Sequence, residues 1–353
     1  MGRRNITLGA VFLTLLLGIF ACQPTTSNRS SGENNTEEIS TDLPGKGITV
    51  KSVRTTTLEN HFQVQIVNKA LQQLGYETPP PAEIPYTSMF LAIANGDLDY
   101  TSHHWEKIQT EIYQNSGGDE KLSKLGVIVQ DLLQGYQIDK KTAEEYNLSD
   151  IGQLKDPEIA KLFDTDGNGK ANLIGCDSGW ACELVIQHHL EVYGLTDTVE
   201  QDNGKYVALM ADTITRYREG KPVLFYTWTP HSLGSILKPG EDVVWLEVPY
   251  TDLPESQGNV SEADTTVNGK NFGFAVENLR IVANRKFVEV NPAASKLFEL
   301  IKIPIEDINA QNKLVEEGED SFEDIDRHVD EWIAKNQDVF DSWIEQAIES
   351  DYR

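Results

Sequence analysis

Basic residues are scarce in this chain: 30 Lys and Arg stand against 56 Asp and Glu over 353 residues, a formal charge of -26. That deficit argues against nucleic acid as a partner, because phosphate recognition needs a positive surface. The acids are scattered instead of blocked, which reads as a solvated, soluble surface. Cysteine is nearly missing, with three in the whole chain, so a zinc centre of about four ligands would have to recruit histidines. No nucleophile elbow or other local signature announces a catalytic triad. No internal repeat is visible either. The length still allows two packed domains.

The N-terminus is more informative. Arg3 and Arg4 precede the apolar run Ile6 to Ala21, which is short for a membrane span, and Cys22 follows at once. Residues 1–21 read as a secretory signal peptide. Ile19-Phe-Ala-Cys22 resembles the lipobox of bacterial lipoproteins, with Cys22 the lipidated residue; ordinary cleavage nearby is the alternative. Residues 22–42, rich in Ser, Thr and Asn, read as a flexible tether that cannot bury enough apolar surface to fold. The expected location is therefore extracytoplasmic, at the periplasm or the outer face of the cell membrane. Disulfides persist there. With Cys22 lipidated, Cys176 and Cys182 are the remaining thiols and an intramolecular bridge is the default. A two-cysteine zinc site with His188 and His189 is a poor alternative.

From residue 43 on the pattern is α/β. Gly47–Val53 alternates like a strand, and Phe62, Ile66, Val67, Ala70, Leu71 and Leu74 form a helical stripe ended by Gly75. Tyr86–Ala94 reads as a helix stopped by Asn95-Gly96, and Asp99–Trp105 as the next strand. Further strands are expected at Gln134–Ile138, Leu173–Cys176, Pro222–Trp228, Asp242–Val248 and Leu279–Ala283. Helices are expected at Gly179–Tyr193, with Leu184, Val185, His188 and Val192 on one side, at Tyr206–Arg218, and from Ala293 to the end. Such strand–helix alternation implies parallel sheets with helices on both faces.

Several segments carry possible chemistry. Asp164, Asp166, Asn168 and Gly169 match the opening of a calcium loop, but its twelfth position is Gly175, so an Asx- and Gly-rich turn is the better reading. His103-His104 and His188-His189 are adjacent pairs whose members point to different faces, so neither chelates a metal alone. Trp105, Trp180 and Trp228 each fall just beyond or at the end of an expected strand, where open sheets bind ligands. Aromatic walls without an obvious acid suit a quaternary ammonium, held by cation–π attraction. The amides after Trp180 open a helix and form an anion site beside that ring. Ammonium and carboxylate together describe one small zwitterion, a betaine.

These residues are where a family becomes recognisable. The chain resembles the substrate-binding proteins of ABC importers for glycine betaine and proline betaine (the ProX type) from residue 43 to the C-terminus. The matching stretches are Asp42-Leu-Pro-Gly-Lys-Gly-Ile-Thr-Val50, Ala160-Lys-Leu-Phe-Asp-Thr165, Gly220-Lys-Pro-Val223 with Tyr226-Thr-Trp-Thr-Pro230, and Asp307-Ile-Asn-Ala-Gln-Asn312. The resemblance implies a two-lobed type II periplasmic-binding-protein fold with a ligand cleft between lobes joined by two hinge crossings. Lobe one would comprise residues 43–134 and 275–353, and lobe two residues 135–274. The family's three ligand tryptophans match Trp105, Trp180 and Trp228, and its two carboxylate-binding amides match Ala181 and Cys182. Ala181 stands where the family has glycine, and Gln109 where it has a histidine that reaches the carboxylate. The cysteines match a family disulfide.

The expected function is therefore capture, not catalysis: an extracytoplasmic lipoprotein that takes up glycine betaine or proline betaine. It would hand the solute to an ABC permease and its ATPase subunits for osmoprotection, with no cofactor and no metal. Another quaternary amine, choline or carnitine, is the nearest alternative. An extracellular enzyme using His103, His104 or Asp177 is the more distant one.

Overall fold

The computed structural model of the protein describes residues 43–351; the signal segment, Cys22 and the tether lie outside the described residues. The described residues form eleven strands: β1 (Ser52–Arg54), β2 (Ala82–Glu83), β3 (Tyr100–Trp105), β4 (Leu122–Asp139), β5 (Ala171–Ile174), β6 (Val199–Asp202), β7 (Leu224–Thr229), β8 (Val243–Leu246), β9 (Thr266–Val267), β10 (Lys270–Asn271) and β11 (Glu277–Asn284). Nine of them make one sheet in the order β2-β1-β3-β11-β4-β7-β5-β6, with β8 also on β4, while β9 and β10 pair apart.

The sheet is mixed, which corrects the all-parallel expectation. β1, β2 and β3 run parallel, as do β5, β6 and β7. Parallel pairing arises where a helix carries the chain back to the start of the next strand. β11 instead returns the chain from one half of the sheet to the other, so it runs against β3 and β4. β4 in turn enters the second half against β7 and β8. Its pairing changes partner in mid-strand: Leu122–Leu132 lie along β11, and from Leu133 on the partner is β7. β4 is also much longer than the strand expected at Gln134–Ile138. Its first half interleaves Lys124, Gly126 and Asp131 with apolar residues and so lacks a clean apolar run.

The first helix, Leu58–Gln73, is buried on more than its apolar stripe because it lies between the sheet and the helix Phe322–Lys335. Polar residues on its outer side find partners there: Gln65 Nε2 donates to Asp326 at 2.6 Å, and Lys69 pairs with Asp330 at 2.8 Å. Arg54, at the end of β1, places its guanidinium 4.5 Å from the Phe322 ring centroid and pairs with Glu83 at 2.6 Å. The tail helices close that side, with the Trp332 indole donating to Asp307 at 2.9 Å and Trp332 stacked 6.2 Å from Trp343. The helix Tyr86–Asn95 ends as the sequence suggests, on Gly96 at φ 82°, the left-handed cap that glycine adopts without a side-chain clash.

The helix expected at Gly179–Tyr193 spans Ala181–Val192, and it turns a different face inward. Val185, Ile186, His189 and Leu190 are buried, whereas Leu184 is 53% exposed and His188 reaches Asp252 at 2.7 Å.

One close approach fixes how the helix Pro292–Leu300 lies on β4. A Cβ built on Gly126 would stand 2.5 Å from the Glu299 carbonyl oxygen and 2.6 Å from that of Phe298, both backbone atoms. Gly126→Ala is therefore expected to destabilise the protein by about 1–3 kcal/mol, the usual cost of overpacking, read as a lower Tm in thermal unfolding. An unchanged Tm would show that the helix can move off the strand freely.

Candidate functional site

The carboxyl ends of β3, β5 and β7 converge on one cavity, about 470 Å³ including its open mouth. Trp105 is the last residue of β3, Trp228 the penultimate residue of β7, and Trp180 caps the helix that follows β5. All three line the cavity, joined by Tyr86, Tyr226 and Ile108. None of the lining residues carries a net charge, so a cation held here meets ring faces and no carboxylate.

The rings are braced from behind. Trp180 meets Trp228 at 5.7 Å between centroids and 64° between planes, and Tyr86 at 6.0 Å and 82°. Trp228 is backed by His231 at 4.4 Å and Tyr206 at 4.9 Å. Trp105 is fixed by a relay: its indole N–H donates to His103 Nε2 at 3.2 Å, and His103 Nδ1 meets Gln63 Oε1 at 3.2 Å. Since Nε2 accepts, the ring proton sits on Nδ1 and is donated to Gln63. Burial pushes His103 down to about 3, so the relay holds in the neutral tautomer over the whole physiological range.

Another wall of the cavity is built by the loop Cys176–Cys182. Its disulfide holds the two Cα atoms 6.5 Å apart. Asp177 braces it twice: the carboxylate accepts the Tyr206 amide at 2.5 Å, and its backbone carbonyl accepts the Trp180 amide at 3.0 Å. Glu183 caps the loop by accepting the Gly179 amide at 2.7 Å, and its own amide donates to Trp180 O at 3.1 Å. The amides of Ala181 and Cys182 have no acceptor among the described residues, and both residues line the cavity. Two free N–H groups at a helix start are an anion site in waiting.

Gln109 is 4% exposed and lines the same cavity. Its carbonyl oxygen is spent locally, accepting the Trp105 amide at 3.0 Å and lying 3.3 Å from His104 Nδ1. Its amide nitrogen is the end left to donate. Tyr86, pushed up by burial, completes that wall. Across the cavity Gln134 accepts the Tyr226 hydroxyl at 2.6 Å and pairs with Trp228 across β4 and β7.

The structure thus brings together Trp105, Trp180, Trp228, Ala181, Cys182 and Gln109, with His103 of the first histidine pair beside them, and adds Tyr86, Tyr226 and Gln134, which no local motif marks. The other candidates lie elsewhere or are occupied. The second histidine pair points apart, His189 to the Tyr136 hydroxyl at 2.8 Å and His188 to Asp252. The Asp164 carboxylate is turned onto the loop's own amides, accepting Gly167 at 2.7 Å and Gly169 at 2.8 Å, as an Asx turn does. Among the described residues no cluster of three or more His, Cys, Asp or Glu is arranged to hold a metal ion.

The chain is similar to several known proteins. Residues 48–335 match the family described as the substrate binding domain of ABC-type glycine betaine transport system. The chain is 48% identical to the glycine betaine-binding periplasmic protein OusX of Dickeya dadantii, covering 98% of each chain. It is 50% identical to the glycine betaine/proline betaine-binding periplasmic protein of Salmonella typhimurium, over 87% of this chain and 92% of that one. Among solved structures, lactococcal OpuAC, crystallised closed with glycine betaine, superposes with a TM-score of 0.64 at 16% identity, covering 84% of this chain and 99% of that one. That likeness shows the fold, the two-lobed type II periplasmic-binding-protein architecture. The chain belongs to the family of substrate-binding domains of ABC-type glycine betaine transport systems.

Proposed function

We propose that this protein captures glycine betaine or proline betaine outside the cytoplasm and delivers it to the permease and ATPase subunits of an ABC importer. The observation that carries the reading is an uncharged aromatic cavity bordered by two unbonded helix-start amides. Trp105, Trp180 and Trp228 would surround the methylated ammonium, which offers no N–H for a hydrogen bond. The Ala181 and Cys182 amides and the Gln109 side chain would meet the carboxylate. Three rings at ~0.5–2 kcal/mol each, with charge-assisted bonds added, reach ~7–8 kcal/mol, a micromolar affinity.

The same reading divides the molecule into lobe one, residues 43–134 and 275–353, and lobe two, residues 135–274. The change of partner in β4 after Leu132 and the short passage 272–276 between β10 and β11 support crossings at those points. Trp105 and Gln109 then belong to one lobe, Trp180, Trp228 and the amides to the other. A ligand that bridges both favours the closed arrangement by its differential affinity.

The amides of Ala181 and Cys182 favour a zwitterion over choline, which has no carboxylate to give them. In calorimetric titrations glycine betaine and proline betaine are expected to bind at micromolar concentration, choline at least about tenfold more weakly, and unmethylated glycine not measurably. Trp180→Ala is expected to weaken betaine binding at least about tenfold. Equal binding of glycine and glycine betaine would sink the aromatic assignment.

We further propose that residues 1–21 direct export and that lipid on Cys22 anchors the tether 22–42 to a membrane. Cys22→Ala should then move the protein from the membrane fraction to the soluble extracytoplasmic fraction. An unchanged distribution would remove the anchor from the account.

A further inference from the structure

The turn that carries Trp105 and Gln109 is held mainly by residues far along the chain. Glu277, the first residue of β11, is 1% exposed and pairs with Leu132, the last residue of β4 before its change of partner. One carboxylate oxygen accepts the Lys107 amide at 2.9 Å and the other the Ile108 amide at 2.6 Å. Beside it, the Asn278 carbonyl accepts the Glu106 amide at 3.1 Å, and Arg280 pairs with the Glu106 carboxylate at 2.7 Å. Inside the turn, the Gln109 amide reaches the Trp105 carbonyl at 3.1 Å. Lys107 and Ile108 therefore sit between the two ligand-side residues, and both of their amides end on one buried acid.

We infer that Glu277 is a positioning residue of the cavity: seated where the chain passes back between the halves of the sheet, its carboxylate sets the turn that presents Trp105 and Gln109. The inference rests on the reading of the cavity as a betaine site.

Its chemistry gives the role a signature. Both partners of the carboxylate are N–H donors, so the ionised form accepts both, while a protonated oxygen would displace one amide. Burial pushes Glu277 up to about 8, against the pull of the two amides and of Lys107, with Glu106 adding to the rise. The Tyr226 hydroxyl on β7 also feels it, while Lys107 is itself paired with Asp264 at 3.3 Å and Glu106 with Arg280 at 2.7 Å. Raising the pH from 6.5 to 9.5 ionises Glu277 and tightens the turn. Glu59, pushed up to about 7 by its own burial, titrates at the lower end of this range and is separated by the variant below.

The test is glycine betaine affinity of the full chain between pH 6.5 and 9.5, with the amide NMR signals of Lys107 and Ile108 followed in the same range. Wild type is expected to bind severalfold more tightly at the upper end, with both amide signals moving along one titration. Glu277→Gln, nearly isosteric but with one oxygen replaced by a donor, is expected to bind about tenfold more weakly at pH 9 and to lose that pH dependence. An E277Q affinity equal to wild type, or a pH dependence that survives in it, overturns the proposal. If E277Q does not fold, the wild-type signals decide: amides that stay still overturn it. A wild type that binds no betaine at any pH fails the cavity reading instead, and the amide titration then still reports whether Glu277 grips the turn.

Discussion

Three indole rings have to be held at fixed angles around one uncharged cavity, and the rest of the structure answers to that demand. Apolar ring surface left facing a cavity forgoes burial worth roughly 25 cal/mol per Å². Trp180 and Trp228 touch edge to face, and each of the three rings is also tied to something behind it. Trp105 is fixed by its indole hydrogen bond to His103, Trp228 is wedged by His231 and Tyr206, and Trp180 rides on a loop closed by the disulfide. A quaternary ammonium cannot pull a ring into place with a hydrogen bond. The geometry has to exist beforehand, which is the general advantage of preorganisation.

The same logic governs the opposite end of the cavity. Helix starts are normally satisfied by a capping side chain, and here Glu183 caps Gly179 while Ala181 and Cys182 are left unbonded. Leaving two amides open costs stability unless something occupies them. Gln109 behaves in the converse manner, with its oxygen committed to the Trp105 backbone and its nitrogen kept as a donor. Donors without formal charge on one side and π faces on the other suit a net-neutral zwitterion. The bulk charge of -26 has no part in it, since none of those acids lines the cavity.

Much of this arrangement is legible in the sequence. Each tryptophan closes or follows an apolar strand, and the ends of such strands are where α/β sheets place ligands. The Ala181 and Cys182 amides follow from a helix that starts after Gly179 without a Ser, Thr, Asp or Asn cap. Other features were hidden because they depend on partners distant in sequence. The first half of β4 carries Lys124 and Asp131, and only pairing with β11 makes it a strand. Tyr86 and Tyr226 look like core residues until the sheet brings them to the same wall. Spacing alone puts Leu184 on the same side as Val185, yet the buried face is set by what packs against Val185 and His189. The all-parallel sheet failed for the same reason, because β11 returns from the far half of the molecule.

On the proposed reading the rings recognise positive charge, and not merely the shape of a branched methyl cluster. The direct measurement compares glycine betaine with its neutral-headed isostere 3,3-dimethylbutanoate, which keeps the carboxylate and replaces nitrogen by carbon. Cation–π attraction of ~0.5–2 kcal/mol per ring predicts that the isostere binds at least about tenfold more weakly. Equal affinities in the same calorimetric titration would contradict the account, and the cavity would then be a hydrophobic mould with an anion site attached.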